Sequence, residues 1–163
     1  MTTPRKYVLS LAAGLTLALA ATAASAASIV NVQLWDKGVG MTMGTGMSYG
    51  TAGLDVSKAT MGVKVAPAIV PAGVVSFRVT NTSKDTVHEM IVMYLADPTK
   101  PLPYITADNK VDEDKAGDKG EVSELDPGKS GELTVALKPG KYLLICNVAG
   151  HFDAGMWTTF EVK

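Results

Sequence analysis

Two side chains that carry much of protein chemistry are almost missing: the 163 residues hold one cysteine and two histidines. A lone cysteine cannot close an internal disulfide, which leaves packing, reactivity or metal binding as its uses. Aromatic residues make up 6% of the chain, and the formal charge is only -1. No basic stripe runs through it, so nucleic acid is not an expected partner. No convincing amphipathic helical period occurs either, which excludes a helical bundle. The one long apolar run lies at the N-terminus.

That run has the layout of an export signal: basic Arg5 and Lys6, apolar Val8 to Ala21, then the small-residue site Ala24-Ser25-Ala26. We expect residues 1–26 to be a signal peptide cut at Ala26/Ala27, with the product periplasmic or otherwise extracytoplasmic. The competing reading is a retained anchor over Tyr7 to Ala27, which is nearly long enough to span a bilayer. With the signal cleaved, no stable membrane insertion is expected. Residues 27–163 then form one domain. Losing Arg5 and Lys6 leaves 13 basic against 16 acidic side chains, a net charge of about -3.

Short runs rich in β-branched residues alternate with Pro, Gly, Asn and Asp over the rest of the chain. They predict strands at Ser28-Trp35, Met61-Ala66, Val74-Thr80, Val87-Leu95, Glu121-Leu125, Gly131-Leu137, Tyr142-Asn147 and Met156-Val162. The fold expected is therefore all-β, a sandwich of seven to eight strands. Turns at Val70-Pro71-Ala72-Gly73, Asp126-Pro127-Gly128 and Lys138-Pro139-Gly140 fit it, since Pro presets φ and Gly accepts a positive φ. Two stretches break the rhythm. Residues 38–58 form a Gly/Met-rich insertion, and residues 97–120 read as a solvated surface loop ending in mixed charge, with room for a helical turn. Asp112, Glu113 and Asp114 lack the alternating spacing of a calcium loop.

The sole cysteine falls in Cys146-Asn147-Val148-Ala149-Gly150-His151-Phe152-Asp153-Ala154-Gly155-Met156. A strand ending at Cys146 and another starting at Met156 would bring thiolate, imidazole and thioether to one end of the sandwich. His88 at the start of the Val87 strand can add the fourth donor, expected from the other sheet. Thiolate suits Cu(I), imidazole suits both copper states, and a weak axial thioether leaves a near-trigonal centre. A methionine donor argues against zinc, which takes Cys, His and carboxylate. Each residue alone is ordinarily a packing residue; it is their joint occurrence, with no surplus His or Cys, that points to one copper per chain.

Leu137-Lys138-Pro139-Gly140-Lys141-Tyr142 leading into Cys146-x4-His151-x4-Met156, with Val87-His88 upstream, resembles the cupredoxins. The x4/x4 loop is similar to those of the rusticyanin, auracyanin and sulfocyanin types. The resemblance covers about Met61 to Lys163, and more loosely Ile29-Trp35. It implies a Greek-key β-sandwich and a single-electron carrier at a type 1 copper centre. His88, Cys146 and His151 would be the equatorial ligands and Met156 the axial one. Partners would be a redox protein such as a cytochrome, a membrane oxidoreductase or another copper protein. An enzyme of the copper oxidase or nitrite reductase kind needs further copper sites, which two histidines cannot build. The chain departs from many cupredoxins by placing Glu89, not Asn or Ser, after the first histidine. Strand alternation turns Glu89 outward, and Asn147 could bridge the ligand loops in its stead.

Met41, Met43 and Met47 in the insertion offer three thioethers on flexible backbone, a possible second Cu(I) site. That set supports an alternative reading as a copper-binding protein for transfer, sequestration or tolerance; a Met-rich lid or docking surface is the plainer one. Val148, Ala149 and Phe152 are the expected partner-docking residues around a His151 whose edge reaches solvent. Trp157 is expected to pack inside.

Overall fold

A computed structural model describes residues 26–163 of the chain. The expected signal, 1–26, lies outside the described residues except for its last position. Among the described residues no helix is long and apolar enough to cross a membrane.

The described residues contain eleven strands, nine of them in two principal sheets. Ser28–Asp36 (β1), Met61–Ala66 (β2), Ile69–Val70 (β3), Gly73–Asn81 (β4) and His88–Tyr94 (β5) come first. Tyr104–Ile105 (β6), Lys110–Val111 (β7) and a four-residue helix, Glu113–Ala116 (α1), follow. Asp118–Leu125 (β8), Ser130–Leu137 (β9), Gly140–Ile145 (β10) and Trp157–Val162 (β11) complete the chain. The first sheet has the order β2-β1-β4-β9 and the second β3-β11-β10-β5-β8, while β6 and β7 pair separately. All eight expected strands are present; the three additional ones are two residues long.

Alternation builds the first sheet. In β1, Val30, Val32 and Leu34 point inward and are fully buried, while Asn31 and Gln33 face solvent. Phe77 of β4 meets Phe160 of β11 edge to face at 5.3 Å, pinning one sheet to the other. Such a pair adds about 0.5 to 1.5 kcal/mol beyond its burial.

The second sheet breaks the pattern. β5 is buried on both faces from His88 to Met93. Met90 and Val92 enter the core between the sheets, whereas Ile91 and Met93 join Leu143, Ile145 and Phe152 in a second core beneath residues 97–117. Leu102, Val111 and Ala116 of that segment are buried there. Most of the surface loop expected at 97–120 is exposed, but those three anchors also make it a cover for the outer face of the sheet, and its last residues already belong to β8. Its apolar anchors are too far apart to make a period, and the charged run between them dominates a local reading. Asp112 caps α1 by accepting the Lys115 N–H at 3.3 Å, and left-handed Gly117 ends it.

Candidate metal centre

The loop from β10 to β11 is a closed set of hydrogen bonds. Cys146 donates its N–H to Met156 O at 3.0 Å, and Met156 donates to His151 O at 3.0 Å. His151 donates to Val148 O at 2.9 Å, and Ala154 to Gly150 O at 2.9 Å. Gly150 (φ 82°) and Gly155 (φ 91°) supply the left-handed corners that bring both ends of the loop back together.

His88 enters from β5, a neighbour of β10 in the same sheet. The expectation that it arrives from the other sheet is therefore corrected: adjacent strands already bring it beside Cys146. Cys146 Sγ lies 3.4 Å from His151 Nδ1 and 3.9 Å from His88 Nδ1, and the two Nδ1 atoms are 3.3 Å apart. The point equidistant from the three atoms lies about 2.1 Å from each, against metal–nitrogen and metal–thiolate bonds of roughly 2.0 to 2.3 Å. Among the described residues this is the cluster of His, Cys and carboxylate donors that could hold an ion, and all three members are buried. Met156 is fully buried beside them.

Without an ion, each of these groups favours its neutral form. Burial pushes the Cys146 thiol up to about 12, although the N–H groups of Glu89, at 3.4 Å, and Val148 point at its sulfur. Burial lowers His151 to about 4, and it lowers His88 more than Asp36 raises it. A bound cation would favour the thiolate, so Cys146 would hold it in the deprotonated form. Soft thiolate, two imidazoles and a thioether suit copper, and the donor triangle has room for it.

The sulfocyanin (SoxE) domain family matches residues 25–163. The chain belongs to that family. Its fold is also that of reduced rusticyanin, with a TM-score of 0.51 at 20% identity, covering 85% of this chain and 82% of that one. Rusticyanin from Thiobacillus ferrooxidans gives 0.51 at 19% identity, over 85% and 79% of the two chains. Reduced auracyanin from Roseiflexus castenholzii gives 0.49 at 17% identity, over 86% and 99%. No curated protein matches the chain. The sulfocyanin chain is accordingly a cupredoxin-family blue copper protein, and type 1 copper is the ion that its homologues bind.

Behind the donors of this sulfocyanin domain lie groups that its sequence signals weakly. His88 Nε2 meets Asp36 Oδ2 at 2.8 Å, with both side chains buried. Asp36 continues the inward row of Val30, Val32 and Leu34 on β1, so a charge in an apolar register was the available clue. Burial raises the Asp36 carboxyl, but hydrogen bonds from Ser83, His88 and the Gly38 N–H outweigh it and hold the group below the ordinary range.

Glu89 does not face solvent, contrary to the alternation argument; only 8% of it is exposed. Its side of β5 is the side covered by residues 97–117, and there it accepts the Asn147 N–H at 3.0 Å. Burial raises its carboxyl above the usual range, opposed by Lys110. The Asn147 carboxamide ties the ligand loop to the cover. It accepts the Val111 N–H at 2.7 Å and donates to Val111 O at 3.0 Å and to Glu113 Oε1 at 2.7 Å. Gly150 donates to Asn109 O at 2.8 Å beside it.

The methionines of the insertion go to different places. Met41 packs against the main core, exposed Met43 lies over Gly150, and Met47 lies against Gly155. Asp153 fastens this segment to the ligand loop: its carboxylate accepts the Gly46 N–H at 3.0 Å and the Ser48 hydroxyl at 2.7 Å. Its carbonyl accepts the Met47 N–H at 2.8 Å. His151 consequently keeps only 6% of its surface, less than a solvent-edged ligand would. Of the expected docking residues, Ala149 is exposed and Val148 half-buried. Phe152 is buried in the second core, so its expected docking role is corrected to packing. Trp157 is half-buried, donating to Met47 O at 2.8 Å and meeting Tyr49 edge to face.

Proposed function

We propose that the chain is an exported single-electron carrier, with His88, Cys146 and His151 as equatorial ligands and Met156 as the axial one. The observation that carries the reading is the buried triangle of two Nδ1 atoms and one Sγ. The ion, when bound, supplies reversible one-electron chemistry between Cu(II) and Cu(I). The chain holds the donors. Its closed β10–β11 loop, the Asn147 tie and the Asp153 tie restrain their positions, which favours a geometry that alters little between the two states. The Met41–Met47 segment and residues 97–117 exclude water. A partner redox protein would approach by the exposed Ala149 and Met43 next to Gly150 and His151. Residues 1–26 would direct export and then be removed, and the chain performs no substrate chemistry of its own.

Titration of the mature protein with copper tests the assignment. The expected result is an intense thiolate-to-copper band at one atom per chain, with reversible reduction and only slow loss of metal to a chelator. A band that survives Cys146→Ala sinks the ligand set. A second Cu(I) equivalent that disappears in a Met41/Met43/Met47 triple substitution would move the reading to copper handling. The separate contacts of the three thioethers favour one copper and a covering role for the loop.

A further inference from the structure

The second sheet supplies His88, Cys146 and His151, but the group that orients His88 comes from the first. Asp36 stands at the end of β1, and its side chain is 1% exposed. One oxygen lies 2.8 Å from His88 Nε2, and the other accepts the Gly38 N–H at 2.7 Å. Among the described residues no lysine or arginine pairs with it; His88 is its one ionisable partner. An Nε2 that faces a carboxylate oxygen carries the ring proton, leaving Nδ1 bare toward Cys146 and His151.

We propose that Asp36 is a positioning residue that acts through His88, fixing the tautomer that frees Nδ1 and biasing the centre toward Cu(II) by its buried negative charge. The inference rests on the copper reading above. Cu(II) with one thiolate carries a net charge of +1, and Asp36 brings the set of metal, thiolate and carboxylate to zero. Cu(I) with the thiolate is neutral already, and Asp36 makes it -1. Burying an uncompensated charge is costly, so the carboxylate opposes the electron delivered by an external one-electron donor. A neutral acceptor in its place would keep the hydrogen bond and remove that opposition. The cross-sheet link also means that the sandwich itself sets the His88 ring, since β1 and β5 belong to different sheets.

Copper-loaded wild type, Asp36→Asn and Asp36→Leu separate the two effects. Asn retains an oxygen for the Nε2–H, so Asp36→Asn should stay blue and shift the equilibrium at least tenfold toward Cu(I), about 59 mV upward. Leu removes the acceptor, and copper affinity should fall by 10- to 100-fold. Nitrogen-15 NMR of metal-free wild type, which needs no variant to fold, should find His88 protonated at Nε2. An unmoved or lowered potential in blue Asp36→Asn overturns the inference, as does a metal-free His88 protonated at Nδ1. A wild type that takes copper without a blue band overturns the ligand assignment itself, and the inference with it.

Discussion

Truncating Asn147 to alanine should unfasten the ligand loop from the cover of the second core while leaving every proposed copper donor in place. The carboxamide is 1% exposed and makes three hydrogen bonds. Two of them satisfy both backbone groups of Val111, itself buried. A buried backbone group without a partner costs about 1 to 3 kcal/mol, so two place the loss near 2 to 6 kcal/mol. Glu113, half-buried, recovers water and adds little. The Asn147 N–H to Glu89 is a backbone bond and survives the truncation. Asn147→Asp should be no better at neutral pH, because it turns the donor facing Val111 O and Glu113 into a second acceptor. Urea unfolding of the metal-free protein gives the stability change, provided the slope is unaltered. Hydrogen exchange at Val111 and Gly150 localises it, since Gly150 donates to Asn109 of the same cover segment. A loss below about 1 kcal/mol, or a larger one with both amides still protected, would refute the assignment of Asn147 as the tie.

Asp153→Ala should release the Met segment, because it frees the Gly46 N–H and the Ser48 hydroxyl; copper should then pass to a chelator several-fold faster, and an unaltered rate would show that the segment does not guard the site. Phe152→Ala should cost about 3 to 5 kcal/mol by emptying the second core while leaving the rate of electron exchange with a redox partner nearly unchanged; a large kinetic effect at small stability loss would restore Phe152 to the docking surface. Metal-free stability should fall with acid. Burial depresses His151 to about 4, so between its ordinary value near 6.5 and about 4 the unfolded chain binds protons that the folded one refuses. Stability from this group is full above the upper value and lost on the way to the lower one. Glu89, raised by burial, works in the opposite sense, so the difference between wild type and His151→Gln is the quantity to measure. Parallel pH profiles for the two would refute the argument.

The strands were legible because alternation and Pro-Gly punctuation are local signals. β1 shows this best: every second residue from Val30 to Leu34 is apolar and inward. The site was legible for a different reason, since a chain with one cysteine and two histidines leaves little choice of soft and imidazole donors. Glu89 misled because period-2 reasoning assumes a solvated outer face, and the cover that buries that face depends on Leu102, Val111 and Ala116, scattered over a charged segment. Phe152 misled for the same reason. The sheet that holds His88 is not legible in the sequence, because strand order depends on pairing between distant segments, which a local pattern does not encode. The roles of Asp36 and Asp153 are not legible in the sequence, because a single carboxylate has no signature until its neighbour is known; Asp36 lies 52 residues from His88.

The amino-acid order alone determined the class of fold, the family likeness and the identities of the four candidate donors, because these depend on period, spacing and scarcity. Only the tertiary structure decided what surrounds them. It seated His88 beside Cys146 within one sheet, brought a carboxylate across from the other, and folded two apparent loops over the ligand end. Those contacts join residues far apart in the chain, and they form because apolar surface leaves water and a buried polar group without a partner is costly.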